Sequence, residues 1–407
     1  MNRYNIFLLV SIASISHLCG QSKLDEYVEY AVRNNPELKA GYATFEASLQ
    51  RIPQVGALED PNLRVSTFGQ MAETRTGQQM ARFSVEQMFP WFGTLALQKS
   101  AASLEAEALY ESFKSVRNEL ILKVKEAYYP LYELEQSIRI NQENLKILET
   151  LKTLTITQFK NGSGKLSDVL RVDIMANEIN TATGILTERK KAQLVVFNKL
   201  LNRDEQLPVV VDENQRVGAI NDFTRDSLYQ NPKLELFKKK VQAAQALEKA
   251  AMKQRMPKLG LGVEYIITQK RPDLSFEDNG KDAYMAMFSL SLPITKKKYS
   301  AAIRESQLMQ NSYTEMQQAA ENTLIAEYEL ANFELMRNQQ QIELYQKQVA
   351  QTNQIINLLV TAYQNNEADF EEILEMQQML LKYELLEVQA EKEYNLSLAK
   401  LEYLTAN

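Results

Sequence analysis

Glu372 and Glu375 are spaced by three residues, which on a helix puts both carboxylates on one face. Asp168 and Arg171 stand at the matching places in an earlier stretch of similar pattern. The plainest chemistry for acids at a helix start is favourable interaction with the helix dipole, roughly 0.3–1 kcal/mol each. Little else in the chain offers reactive chemistry. The one histidine, His17, and the one cysteine, Cys19, both lie in the first twenty residues. Once that segment is removed, no Cys–His nucleophilic pair, thiolate zinc site or disulfide is available. Met285 and Met287 share a strand face, and Met376 and Met379 lie a helical turn apart; filling of gaps in a core accounts for such pairs. No glycine-rich phosphate loop occurs among the 13 glycines. The residues therefore predict a protein that is not an enzyme and holds no cofactor or metal.

The 407 residues carry a net charge of −6, which leaves no basic footprint for nucleic acid. Residues 1–20 read as a signal peptide: Arg3 precedes the apolar run from Ile6 to Ile15, and Gly20 suits the position before a cut. The expected mature chain starts at Gln21. Cys19 offers a rival lipoprotein reading, which bulky Leu18 opposes.

Long helices must position whatever the acids do. Thr94 to Lys160 contains no glycine and one proline, Pro130, so as a helix it would run on the order of 100 Å. Its apolar seam (Leu120, Val124, Ala127, Leu131, Leu134, Ile138) steps alternately by four and three, the spacing of packed helices. The pattern recurs from Leu324 through Tyr328, Ala331 and Leu335 to Tyr363. The punctuation recurs as well, with Asn35-Pro36 answered by Asn231-Pro232, Pro61 by Pro257 and Pro90 by Pro293.

Two structural repeats follow from this, 21–221 and 222–407, after the leader 1–20. The first predicts strands at 62–70 and 80–89, long helices at 94–160 and 166–201, and a small belt over 202–221 with a short strand at Leu207–Val211. The second predicts strands at 258–268 and 282–292 and helices at 294–362 and 367–404. Each predicted strand is about ten residues long, enough for a tilted membrane strand. Four strands cannot close a barrel alone, and lipid tolerates no open edge, so closure demands several chains.

The duplicated helix–strand–strand–helix–helix order, the prolines after each second strand and the turn Phe159-Lys160-Asn161-Gly162 with its counterpart from Tyr363 to Leu374 carry a resemblance. Over residues 22–407 the chain resembles the TolC-like outer-membrane efflux family. That resemblance implies a mainly α fold with a β-barrel part: a homotrimer whose twelve-strand outer-membrane barrel continues into a long α-helical periplasmic barrel. It implies the exit duct of a tripartite efflux system for drugs or metal cations in a Gram-negative outer membrane. The partners implied are outer-membrane lipid, a periplasmic adaptor and an inner-membrane pump. Pro90-Trp91-Phe92-Gly93 looks most like members coupled to resistance-nodulation-division pumps. Docking turns then fall at Asn161, Gly162, Ser163, Gly164, Asn365 and Asn366. Asp168, Arg171, Glu372 and Glu375 take the place of the family's tip gate, where rings of charge narrow a pore. The departures are Asn366, where the family often has glycine, and a chain that stops soon after its last helix. The alternatives are a duct for type I protein secretion, a periplasmic coiled-coil scaffold, or a passive porin.

Overall fold

The computed structural model describes residues 22–70, 72–212, 223–273, 275–365 and 367–406. The expected leader, Cys19 and the cut before Gln21 lie outside these residues, as do Asn366 and residues 213–221 of the expected belt.

The first half opens with α1, Lys23–Asn34, where the Ser22 hydroxyl accepts the Asp25 N–H at 3.2 Å and satisfies one of the free donors of the first turn. Next come α2 (Pro36–Gly56), β1 (Asn62–Thr67), β2 (Glu73–Thr74) and β3 (Gly77–Phe89). The long helix α3, Thr94–Lys160, carries Pro130 without interruption and is followed by α4, Leu166–Leu200. The second half runs through a 3₁₀ turn at Arg225–Gln230, α5 (Pro232–Gln254), β4 (Lys258–Gln269), β5 (Ala283–Ser291), α6 (Lys296–Gln364) and α7 (Phe370–Thr405).

Three expectations are corrected. The polar stretch from Glu73 to Gln79 is not a plain loop: β2 pairs with the start of β3, and Gly77 takes φ 132 in the turn. No strand forms at Leu207–Val211. Pro208 has no N–H to give a ladder. The Val210 and Asp212 N–H groups donate instead to the Tyr27 and Tyr128 hydroxyls, at 2.9 and 3.0 Å. Finally, α7 starts at Phe370 rather than at 367.

The chain divides into two compact units, each taking parts of both halves, so they do not follow the repeat boundary at 221. One unit holds α1, α4, most of α7, α3 from Leu120 and α6 from Glu334. Its inner seam between α3 and α7 is polar as well as apolar. Asn144, 2 % exposed, donates to Glu384 at 3.1 Å and accepts from Gln377 at 2.7 Å, and the Tyr132 hydroxyl donates to Glu391 at 2.8 Å.

The other unit holds α2, α5, the starts of α3 and α6, and the whole sheet. There α3 and α5 bury alanines (Ala101, Ala102, Ala106, Ala243, Ala250), small side chains that let helices approach closely.

The sheet is antiparallel, in the order β1-β3-β4-β5. Leu63, Val85, Val263 and Ala286 are register partners across its four long strands, and so are Val65, Phe83, Tyr265 and Tyr284. Strand alternation therefore gathers the apolar side chains on one face. That face is bare: Leu63, Val263, Tyr284 and Phe288 are all exposed. The opposite face is polar and crowded. Arg82 reaches Glu264 at 3.0 Å, Ser289 donates to Glu86, and a Cβ on Gly260 would stand 2.0 Å from the Ser289 hydroxyl. Met285 lies on this face and is half exposed, so core filling does not account for it.

Candidate functional site

The turn joining α3 to α4 is built by hydrogen bonds back to the last helical turn. Asn161 N–H donates to Thr157 O at 3.1 Å, and both Ser163 and Gly164 N–H donate to Gln158 O at 3.0 Å. Gly162 takes φ 80, the left-handed conformation that ends helices and favours glycine. Gly164 is needed for space, since a Cβ there would stand 2.9 Å from the Phe159 nitrogen. The second turn is shorter in described length. There Asn365 and Glu367 N–H both donate to Ala362 O, at 3.0 and 2.9 Å.

Beneath the two turns lies an apolar knot of Leu148, Leu151, Val172, Met175, Ile179, Tyr363, Phe370, Ile373 and Leu374. Burying such side chains contributes about 1.5–3 kcal/mol each, which fixes the four helix ends relative to one another. Upon this base the charges face each other by sign. The cations come from the first hairpin and the anions from the second: Arg171 lies 2.7 Å from Glu371, and Lys165 lies 3.5 Å from Asp369. The hydrogen bond and charge of Glu371, with Asp168 behind, hold the Arg171 guanidinium above its ordinary value.

The sequence-predicted residues divide between three settings. Asp168 is buried at the start of α4, with the Ser167 hydroxyl at 3.3 Å. Burial, and secondarily the Asp168 charge, push the phenol of Tyr363 up. Among the described residues that hydroxyl has no hydrogen-bond partner. Arg171 and Glu375 line one groove between α4 and α7, about 280 Å³, together with Glu371 and Glu178. Glu372 is exposed and stands outside the groove. The structure thus brings Arg171, Glu371 and Glu375 together and leaves Glu372 apart. Sequence reasoning missed Glu371, Lys165 and Asp369. Glu371 and Glu372 are both within a helical turn of Glu375, and it is Glu371 that turns with Glu375 into the groove facing α4.

A second functional surface is the bare apolar face of the sheet. Among the described residues β1 pairs only with β3 and β5 only with β4, so both outer strands present unpaired backbone.

Residues 224–407 match the outer membrane efflux protein family. The resemblance to the TolC-like outer-membrane efflux family holds. The fold agrees with solved structures of such channels. The outer-membrane channel OprN matches at 17% identity and TM-score 0.77, over 94% of this chain and 89% of its own. The outer membrane protein VceC from Vibrio cholerae matches at 17% identity and TM-score 0.73, over 94% and 96%. The open-state MtrE outer membrane channel of Neisseria gonorrhoeae matches at 16% identity and TM-score 0.73, over 95% and 89%. No curated protein matches by sequence. These relatives are channels rather than enzymes, and the chain shares their mainly helical fold with a small antiparallel sheet.

Proposed function

We propose that this protein is the outer-membrane exit duct of a tripartite efflux system, passing drugs or metal cations delivered by an inner-membrane pump and a periplasmic adaptor. One observation carries the reading: an apolar sheet face left bare, on a sheet with both outer strands unpaired. In water such edges invite aggregation, and in lipid they must be closed. Three copies supply twelve long strands, within the size range of outer-membrane barrels. The lipid side is then the face of Leu63, Val263, Tyr284 and Phe288, and the lumen side is that of Arg82, Glu264 and Glu86. A coiled-coil scaffold in water leaves that apolar face without a purpose.

The turns Asn161–Gly164 and Asn365–Asn366 are the adaptor-docking sites. Leu166 and Leu170, both more than half exposed, supply apolar anchors beside the first turn. Arg171 and Glu371 form a latch within each copy, while Glu372 and Glu375 line the tunnel mouth with Asp168 behind them. The pump belongs to the resistance-nodulation-division class. The protein should extract from outer membranes as a trimer by mass and show heat-modifiable migration. A stable monomer with its full β content would overturn the shared barrel.

A further inference from the structure

The helical end of the sheet carries a cavity of about 500 Å³, inside the roughly 300–1,000 Å³ range of small-molecule pockets. Its walls are Phe89, Trp91, Phe92, Leu261, Phe288 and Leu290, continuous with the apolar face. The one polar side chain in the lining, Ser289, has its hydroxyl turned to Glu86. Phe92, in the lining, is 77% exposed, so the rim is as apolar as the floor.

Immediately past that rim stand three consecutive cations, Lys296, Lys297 and Lys298, all exposed at the beginning of α6. The first turn of α6 contains no acid. Among the described residues none of the three has an ion pair; Lys298 only leans on the Tyr299 ring at 5.9 Å. Lys258, also at this level, is already taken by Glu59 at 2.8 Å. A second, more polar cavity lined by Lys258, Lys298 and Tyr299 shares Pro90 with the apolar one, so the charges and the groove adjoin.

An apolar groove beside uncompensated cations is complementary to one ligand chemistry, an alkyl chain carrying an anionic head. We propose that this groove seats an acyl chain of an anionic phospholipid whose headgroup is held by Lys296, Lys297 and Lys298. The inference rests on the membrane reading above, which puts this end of the sheet at the helix-side leaflet. Trp91 and Tyr299 then occupy the interfacial level that such rings favour. Clustered lysines at a membrane surface attract anionic lipid by about fivefold per residue, so the three together predict a preference on the order of 100-fold.

Trp91 is the only tryptophan, and it lines the groove, so its fluorescence reports the occupant directly. The trimer would be reconstituted into vesicles containing brominated phosphatidylglycerol or brominated phosphatidylethanolamine as the minor lipid. The expected result is that the glycerol lipid quenches Trp91 at a mole fraction at least tenfold, and up to about 100-fold, lower than the ethanolamine lipid does. In the Lys296→Gln/Lys297→Gln/Lys298→Gln variant, with trimer migration unchanged, the two lipids should quench alike. Equal quenching in the unaltered protein, or a preference that survives the triple substitution, overturns the anionic site and leaves the membrane reading intact. Quenching by neither lipid overturns both. Shielding of Trp91 together with a diacylglyceryl adduct in the intact mass would make the chain's own acyl group the occupant and overturn the proposal.

Discussion

Arg171 Nη1 lies 2.7 Å from Glu371 Oε2, joining the start of α4 to the start of α7. Both side chains are largely exposed, so water and salt screen the pair, and its worth to folding is small. A contact that adds little to folding yet spans two hairpins is suited to a latch that opens and recloses. Arg171→Ala or Glu371→Ala should leave the thermal midpoint of the trimer nearly unchanged. Either should raise resting conductance in a planar bilayer several-fold, and high salt should raise that of the unaltered protein in the same direction. Unchanged conductance in both variants would mean the pair is only a surface contact.

The mouth acids make a separate claim. The Glu372→Ala/Glu375→Ala double variant should lose cation preference in reversal-potential measurements. Because Glu375 lines the groove with Arg171 and Glu372 does not, Glu375→Ala alone should also change conductance, whereas Glu372→Ala alone should change selectivity only. If the double variant matches the unaltered channel in both quantities, these acids serve the helix start and nothing more.

The apolar face of the sheet should tolerate charge according to depth. Val263 is 64% exposed on the apolar face, and its neighbour in sequence, Glu264, is 7% exposed on the polar one. Val263→Arg, near the middle of β4, should destabilise the barrel by about 2–4 kcal/mol. Thr67→Arg, at the end of β1, should cost less than about 1 kcal/mol, since depth sets the penalty. Urea titration of the inserted trimer measures both, and equal tolerance would sink the lipid-facing assignment.

What could be read from residues was whatever a local period or a punctuating residue encodes. The alternation of Leu259, Leu261, Val263 and Tyr265 announced a two-faced strand, and Asn161-Gly162 announced the helix stop. Register was out of reach, because nothing local pairs Val65 with Phe83 or Phe83 with Tyr265. The apolar run Leu207–Val211 read as a strand, but tyrosine hydroxyls distant in sequence captured its backbone donors. The same limit applies at the tip. The acids were visible, yet choosing Glu371 over Glu372 required knowing which face of α7 turns toward α4. The buried polar seam of Asn144 and Gln377 gave no signal at all, since a lone amide in a heptad pattern looks like surface.

Gly77 should be irreplaceable in the small hairpin. Its φ of 132 is rarely adopted by other residues, and a Cβ would stand 1.9 Å from the backbone oxygen of Gln269. Gly77→Ala should cost on the order of 1–3 kcal/mol through strain alone. The loss should appear as a lower yield of heat-modifiable trimer. Gly69→Ala, with open space around it, is the control and should behave as the unaltered protein.

The acids on α7 predict how stability depends on pH. Burial raises the carboxyl of Glu384, opposed by the Asn144 hydrogen bond and aided by the charges of Glu143 and Glu387. Burial likewise raises Glu387, which faces Gln346 and Glu391, and raises Glu391, which accepts from Tyr132. Each group binds its proton more tightly in the folded chain than in the unfolded one. The stabilisation from that proton is complete below the ordinary glutamate range, around pH 4.3, and is lost as pH rises through the higher folded value. At pH 7.5 the seam therefore carries partly desolvated charges that oppose folding. Glu384→Gln keeps an oxygen for the Asn144 amide and removes one of those charges. It should raise the thermal midpoint at pH 7.5, on the order of 1–3 °C once solvent screening is allowed for. The gain should shrink to nothing near pH 4, where the glutamate is already neutral. Circular dichroism melts of both proteins at the two pH values test this. A gain that is the same at pH 4 and pH 7.5 would show that better packing, not removal of charge, is responsible.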